Sequence, residues 1–308
     1  MNACMMDQAA PTLPSLTRDE IERRVSSVPM WWHSIDVGQG VSTSGYKSPA
    51  LLASELQALH LPDLRNKTVL DIGAWDGYFS FAAERLGAKA VTALDHYVWA
   101  VDWAEHQRYV AECAAKGTVP EPYETRPYFK PSELPGRLGF DTARELLGSR
   151  VQTVAADFTK IDSKELGPFD VVLFLGVLYH MKYPLEALER LAAITREVAI
   201  IETEAVFLPG LEDHAFCEFF EKRELLDDPT NWWAPNEKAL IGMCRAAGFR
   251  HVTVVPKLSR LAKLLLRVGI ERCPLPVKLG SGPARHLASL GVRRTNLVRY
   301  RAVVQAWK

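Results

Sequence analysis

Short apolar runs recur along the middle of the chain, each followed by a stretch whose apolar positions return at helical spacing. KTVLDIG reads as a buried strand, GYFSFAAERLG as a helix closed by Gly87, and AVTALD as a second strand. FDTARELLG then predicts a helix, VQTVAAD a third strand, FDVVLFLGVLYH a fourth, LEALERLAAIT a helix and REVAIIETE a fifth strand. PNEKALIGMCRAAGF predicts a helix capped by Asn236, and HVTVV and VRYRAVVQAW are the last two strands. Continuously apolar strands alternating with helices specify an α/β, doubly wound, Rossmann-like sheet covered on both faces, here of seven strands.

Three stretches stand outside that alternation. Ahead of it, Thr17 with Glu20 three positions on forms a capping-box start to a short helix, and LLASELQAL predicts another. Between them lies an aromatic segment, VPMWWHSIDVGQGVSTSGYKS. Residues 97–139 interrupt the core: YVWAVDWAEHQRYVAECAAKG reads as helical and the proline-rich TVPEPYETRPYFKPSELPG as a loop. Near the end, KLSRLAKLLLRVGIERC places leucines on one helical face and Arg260, Lys263 and Arg267 on another. The predicted organisation is an N-terminal helical and aromatic flap (1–60), a core (61–256) with its insertion at 97–139, and a basic helical insertion followed by the final strand (257–308). No internal repeat is visible.

In a doubly wound sheet, ligands bind beyond the carboxyl ends of the strands, where the strand order reverses. The loop DIGAWDG sits at such an end. Gly73 and Gly77 let the backbone turn and approach a ligand, and Asp71 can bond polar groups. The loop has no G-K-[ST], so it is not a P-loop, and it lacks the third glycine of a dinucleotide fingerprint. Asp95, ending the next strand, suits a carboxylate that accepts hydrogen bonds from two ribose hydroxyls.

These motifs carry a resemblance. VLDIGAWDG, TALD, AAD at 155–157 and FDVVLFLGVLYH, in that order, resemble the successive cofactor motifs of class I S-adenosylmethionine-dependent methyltransferases. The resemblance implies that Gly73 and Gly77 face the methionine part of S-adenosylmethionine, Asp95 the ribose, and Asp157 with Phe158 the adenine. WHSIDVGQG, GVLYHMKYPLEAL, IIETE and NWWAPNEKALIGMCRAAGF are further similar to the tRNA wobble-uridine carboxymethyl/methyltransferases and their small-molecule relatives. On that likeness Tyr179 lies against the transferable group, Lys47 lies near the cofactor, and Arg301 reaches the site from the C-terminal strand. The tRNA enzymes grip the carboxylate of carboxy-S-adenosylmethionine with a further lysine about ten residues before the Ile-Asp pair. Here that region reads Val25, Ser26, Ser27, which favours ordinary methyl transfer.

Methyl transfer to an oxygen needs alignment and removal of a proton. His180, just past the fourth strand, is a candidate general base, or else a histidine that only supports the loop. Glu202 and Glu204 end the fifth strand and either orient such a histidine or are merely solvated. His33 and Asp36 in WWHSID belong to a flap that excludes water, or to an aromatic staple holding the N-terminal helix. Trp232 and Trp233 present the same choice between an acceptor-stacking wall and a core plug.

Composition narrows the rest. With 308 residues, 48% of them hydrophobic, the chain can bury a large core. It has neither a basic start followed by an apolar run nor a window near the roughly 18 apolar residues of a membrane span, so it is expected to be cytoplasmic. Five scattered cysteines without C-x-x-C argue against a disulfide framework, and no metal-ligand spacing occurs in EDHAFCEFFEKRE. Net charge is zero, yet from Arg250 onward Glu271 is the only acid. A basic amphipathic helix over 258–270 can dock on the domain, touch a membrane or lipid-linked acceptor, or attract RNA. Three functions follow: a methyltransferase acting on a hydroxyl of a small molecule or glycan, a tRNA wobble-uridine modifying enzyme, and a non-catalytic cofactor-binding protein.

Overall fold

Helix starts and apolar runs build the elements in the expected order. The computed structural model describes residues 16–118, 120–121, 123–209, 211–221, 223–226, 228–255 and 297–308. The amphipathic stretch 258–270 lies outside the described residues, and so do Cys4 and Cys273.

Thr17 forms the predicted capping box at the start of α1 (Arg18–Ser26). A small hairpin, β1 (Asp36–Gly38) and β2 (Val41–Ser42), precedes α2 (Pro49–Ala58), which Ser48 caps. The core then runs β3 (Thr68–Ile72), α3 (Tyr78–Arg85), β4 (Ala90–Asp95), α4 (Trp103–Lys116), α5 (Leu138–Leu146), β5 (Gln152–Ala155), α6 (Ser163–Leu166) and β6 (Phe169–Leu175). After it come α7 (Pro184–Ile194), β7 (Thr195–Phe207), a second small hairpin of β8 (Cys217–Phe219) and β9 (Trp233–Pro235), α8 (Glu237–Ala246), β10 (His251–Val255) and β11 (Val298–Trp307).

The seven core strands lie in the order β10-β11-β7-β6-β3-β4-β5. All run parallel except β11, which is antiparallel to both β7 and β10, so the sheet is mixed. From β3 the chain first builds outward through β4 and β5, then returns to lay β6 on the other side of β3. That reversal opens a crevice at the carboxyl ends of β3 and β6.

Alternate residues of each strand feed opposite layers. Leu70, Ile72, Val172 and Phe174 pack with Leu188 and Leu191 of α7 and Leu240 of α8. Val69, Val171 and Leu173 pack on the other face with Phe81, Phe140, Ile21 and Trp31. The two-residue period of a strand thus produces both cores from the same apolar runs. Trp31 and Ile35 belong to the second core, so the segment after α1 is anchored to the sheet rather than hung from it.

The insertion at 97–139 differs from its sequence reading in two ways. Helix α4 begins at Trp103, because the Asp102 carboxylate caps it by accepting from the Glu105 amide at 3.1 Å. The proline-rich part folds back on α4: Asp102 N donates to the Tyr128 carbonyl at 2.8 Å and Lys130 N to that of Ala100 at 2.7 Å. Val101, Trp103 and Tyr128 form a small aromatic core there. Among the described residues no helix is long and apolar enough to cross a membrane, and no cluster of metal-ligating side chains occurs.

Candidate active site

The turn after β3 is shaped by its own backbone before any side chain acts. Gly73 N and Ala74 N both donate to the Leu94 carbonyl, tying the turn to β4. Trp75 N donates to Asp95 Oδ2 at 3.0 Å, and Val98 N to Asp95 Oδ1 at 3.2 Å. Gly73 is the exposed residue of an otherwise sheltered stretch from Val69 to Gly77 and adopts φ +76°. A Cβ there would come within 2.7 Å of Val177 Cγ2. Gly77 starts α3 with φ +89°, and a Cβ on it would strike Phe81 and Phe140 at 2.6–2.8 Å. Gly77 is therefore required by core packing, whereas Gly73 leaves open backbone in the crevice.

Asp71 accepts from Ser80 Oγ at 2.6 Å, which joins the end of β3 to α3. Burial pushes both Asp71 and Asp95 up to about 6. Each carboxylate has spare lone pairs beyond the bonds it receives, the donor-seeking chemistry that a ligand's hydroxyl or ammonium group satisfies. The raised values also set a pH dependence. A carboxyl whose folded pKa exceeds its unfolded value gives stability that is full below about 4 and is lost as pH rises through about 6. Asp95→Asn, neutral throughout, is expected to gain about 2 kcal/mol on wild type between pH 4.5 and 7.5, read from urea melts at both values.

Asp76, one residue from the turn's tryptophan, was not singled out by sequence. Its carboxylate is 2% exposed and accepts from Trp32 N at 2.8 Å, His33 N at 2.9 Å and the His33 ring at Nδ1. His33 is thus spent on holding the N-terminal segment to the turn. Trp75, at φ +52°, lies in a stack of three indoles, 4.6 Å from Trp32 and 5.5 Å from Trp103. The N-terminal segment, the turn and the insertion consequently meet at one residue. Lys47 pairs with Glu55 at 2.8 Å, and its backbone bridges to His33. Asp36 is exposed on the hairpin, where Oδ1 accepts from Gly38 N.

Across the crevice, Gly176, φ +72°, follows the last residue of β6, and a 3-10 turn over Leu178–His180 comes next. A Cβ on Gly176 would lie 3.3 Å from Arg301 Nη2 and 3.5 Å from the Tyr179 hydroxyl, so this glycine makes room for both. Strand register brings the charges here. Arg301 of β11 is opposite Glu204 of β7, and Glu202, two residues away, shares that face. Arg301 donates to Glu202 through Nε at 2.6 Å and through Nη2, with Glu204 3.8 Å from Nη1. Its guanidinium lies 4.6 Å from the Tyr179 ring centroid. Burial lowers the Arg301 pKa, but the facing carboxylates outweigh it and hold the group well above its ordinary value.

The His180 ring stands 4.3 Å from that of Tyr179. Its Nδ1 is 3.1 Å from the Thr230 carbonyl and 2.9 Å from the Thr230 hydroxyl, and no described residue is bonded to Nε2. Burial holds its pKa below the usual histidine value. Trp232 N donates to the Tyr179 carbonyl at 2.8 Å and Trp233 Nε1 to that of Lys182 at 3.2 Å, so the tryptophan pair fixes the loop that carries the histidine. Asp157 accepts from Thr159 and Lys160 just past β5, and Phe158 packs on Phe174 in the core.

The chain shares sequence and fold with known proteins. Residues 46–254 match the family described as "Methyltransferase domain". A tRNA U34 carboxymethyltransferase of Idiomarina loihiensis is 25% identical over 202 residues, 64% of this chain and 50% of that protein. One from Helicobacter pylori strain Shi470 is 24% identical over 214 residues, 68% of each. The chain spans about half the length of the first of these relatives. Among solved structures, the N-terminal domain of EvdMO1 in the presence of SAH and D-fucose superposes with a TM-score of 0.54 at 16% identity, covering 95% of this chain and 98% of that one. With the family matched over residues 46–254, more than half of its length, the chain belongs to the methyltransferase-domain family.

Proposed function

We propose that the chain methylates a hydroxyl of a small-molecule or glycan acceptor, with His180 as general base. The observation that carries this reading is the His180 ring at the carboxyl end of β6, held through Nδ1 and with no partner at Nε2 among the described residues, beside Tyr179 and the Arg301 cluster. The crevice fits the cofactor: Gly73 offers exposed backbone, and Asp71 and Asp95 are buried carboxylates with lone pairs to spare. Asp157 and Phe158 would flank the adenine, and Lys47 and Tyr179 would line the methionine side.

When bound, S-adenosylmethionine supplies an electrophilic methyl whose sulfonium sulfur keeps the bonding pair. The protein's part is to align the acceptor and to take its proton. Nε2 receives the hydroxyl proton as the oxygen becomes methylated, and a ring kept neutral by burial is ready to do so near pH 7. Glu202 acts by fixing Arg301, and His33 by fixing the flap through Asp76, which excludes water from that side. In domain terms, residues 16–60 serve as the cover, the core from residue 61 carries the chemistry, and β11 completes the sheet.

A second reading, modification of a tRNA wobble uridine, is favoured by the names of the curated relatives. The charges weigh against its carboxymethyl form. Arg301 and Lys47 are both matched to carboxylates, leaving neither to meet a cofactor's extra carboxylate. Titration calorimetry with S-adenosylmethionine, S-adenosylhomocysteine and the carboxylated analogue tests this. The plain cofactor is expected to bind about tenfold more tightly than the carboxylated form, a difference of roughly 1.4 kcal/mol. The opposite preference would sink the small-molecule reading and direct the search to tRNA, where binding should weaken steeply with salt.

A further inference from the structure

The bonds around His180 reach one step past the ring. Thr230 Oγ1 donates to Asp228 Oδ1 at 2.7 Å, and the Thr230 amide donates to the same oxygen at 2.8 Å. A hydroxyl has a single proton. With that proton committed to the carboxylate, Oγ1 can only accept, and the Thr230 carbonyl can only accept as well. Both atoms facing Nδ1, at 2.9 and 3.1 Å, therefore call for a hydrogen on Nδ1. A neutral ring so held carries its lone pair on Nε2.

We propose that Asp228 and Thr230 are positioning residues for methyl transfer, fixing His180 in the Nδ1–H tautomer that leaves Nε2 to accept the acceptor's proton. The proposal rests on His180 being the base. Local sequence explains the geometry: the Asp228 side chain bonds the amide two residues on, an Asx-turn with Pro229 at its centre. The Trp232 and Trp233 bonds to residues 179 and 182 then press this turn against the histidine. Asp228 also faces the charge that appears on the ring when Nε2 is protonated, while Arg301 opposes it; Tyr179, the other titratable neighbour, packs on the ring. The proton passes from the acceptor hydroxyl to Nε2 and leaves to solvent with product release.

The test is nitrogen-15 spectroscopy of histidine-labelled full-length protein, with the His180 resonances assigned by their loss in His180→Gln. Wild type should show Nδ1–H. In Asp228→Ala the freed threonine hydroxyl can donate to Nδ1, and the tautomer ratio should move about tenfold toward Nε2–H, the worth of one such hydrogen bond. The His180 pKa should fall further, since the carboxylate that raises it is gone. Thr230→Val should move in the same direction by less, because the carbonyl remains, and Thr230→Ser should restore the wild-type pattern. S-adenosylhomocysteine affinity, measured on each variant, identifies a variant that has lost its fold. An Nε2–H tautomer in wild type, or no movement in both Asp228→Ala and Thr230→Val, would overturn the relay. Unchanged methyl transfer in His180→Gln would instead overturn the base reading on which the relay depends.

Discussion

Asp76→Ala is expected to loosen the whole N-terminal side of the crevice at a cost of about 3–5 kcal/mol, the range for removing one partner of a buried charged contact. The Asp76 carboxylate receives two backbone amides and the His33 ring, and both residues are almost completely buried. Alanine would strand three donors where water enters poorly, and the penalty of leaving them unpaired exceeds the net worth of the bonds themselves. Trp32 sits on the same stretch of backbone, so its stack on Trp75 should loosen in step. Denaturant melts followed by tryptophan fluorescence and by far-ultraviolet circular dichroism would therefore shift together. Asp76→Asn keeps one acceptor oxygen and should cost less, about 1–3 kcal/mol. Stability of Asp76→Ala within 1 kcal/mol of wild type would mean that the N-terminal segment is held by Trp31 and Ile35 in the core alone.

The contrast between that latch and the sheet shows where sequence was sufficient. Strands β3, β4, β6 and β7 are legible because a buried parallel strand must be apolar on both faces, and the helices because their apolar stripe and caps are local. Thr17, Ser48 and Asn236 each cap through a bond spanning three residues. The start of α4 was misplaced because YVWAVDW is dense in apolar residues, while the backbone there folds back on Asp95 until Asp102 restarts it as a helix. Hairpins β1–β2 and β8–β9 have strands of two or three residues, too short to display a period. At the site, strand-end residues such as Asp71, Asp95 and Tyr179 follow from the strands themselves. Asp76 and Thr230 do not, since their partners lie 43 to 50 residues away along the chain, and Asp228 reaches the site only through Thr230. Nor could sequence reveal that Glu202 meets Arg301 across 99 residues, because that pairing depends on the register and direction of β11.

That register sets up the other large effect: Arg301→Ala should destabilise the protein by about 3–5 kcal/mol at pH 7. Glu202 and Glu204 would then share one sheltered face without the guanidinium that links them. Urea melts of the variant and of wild type at pH 7 would measure that loss. Arg301→Met combined with Glu202→Leu and Glu204→Met removes the three charges at similar volume and should recover most of the stability. Recovery of stability is not recovery of the site. Arg301 also lies over the Tyr179 ring at the crevice wall, so the repaired protein is expected to bind S-adenosylhomocysteine at least tenfold more weakly, a loss of about 1.4 kcal/mol. A triple variant as stable as wild type and equally tight for that ligand would show that the cluster serves the sheet alone, and the wall of the crevice would then have to be assigned to Tyr179 and Gly176 without it.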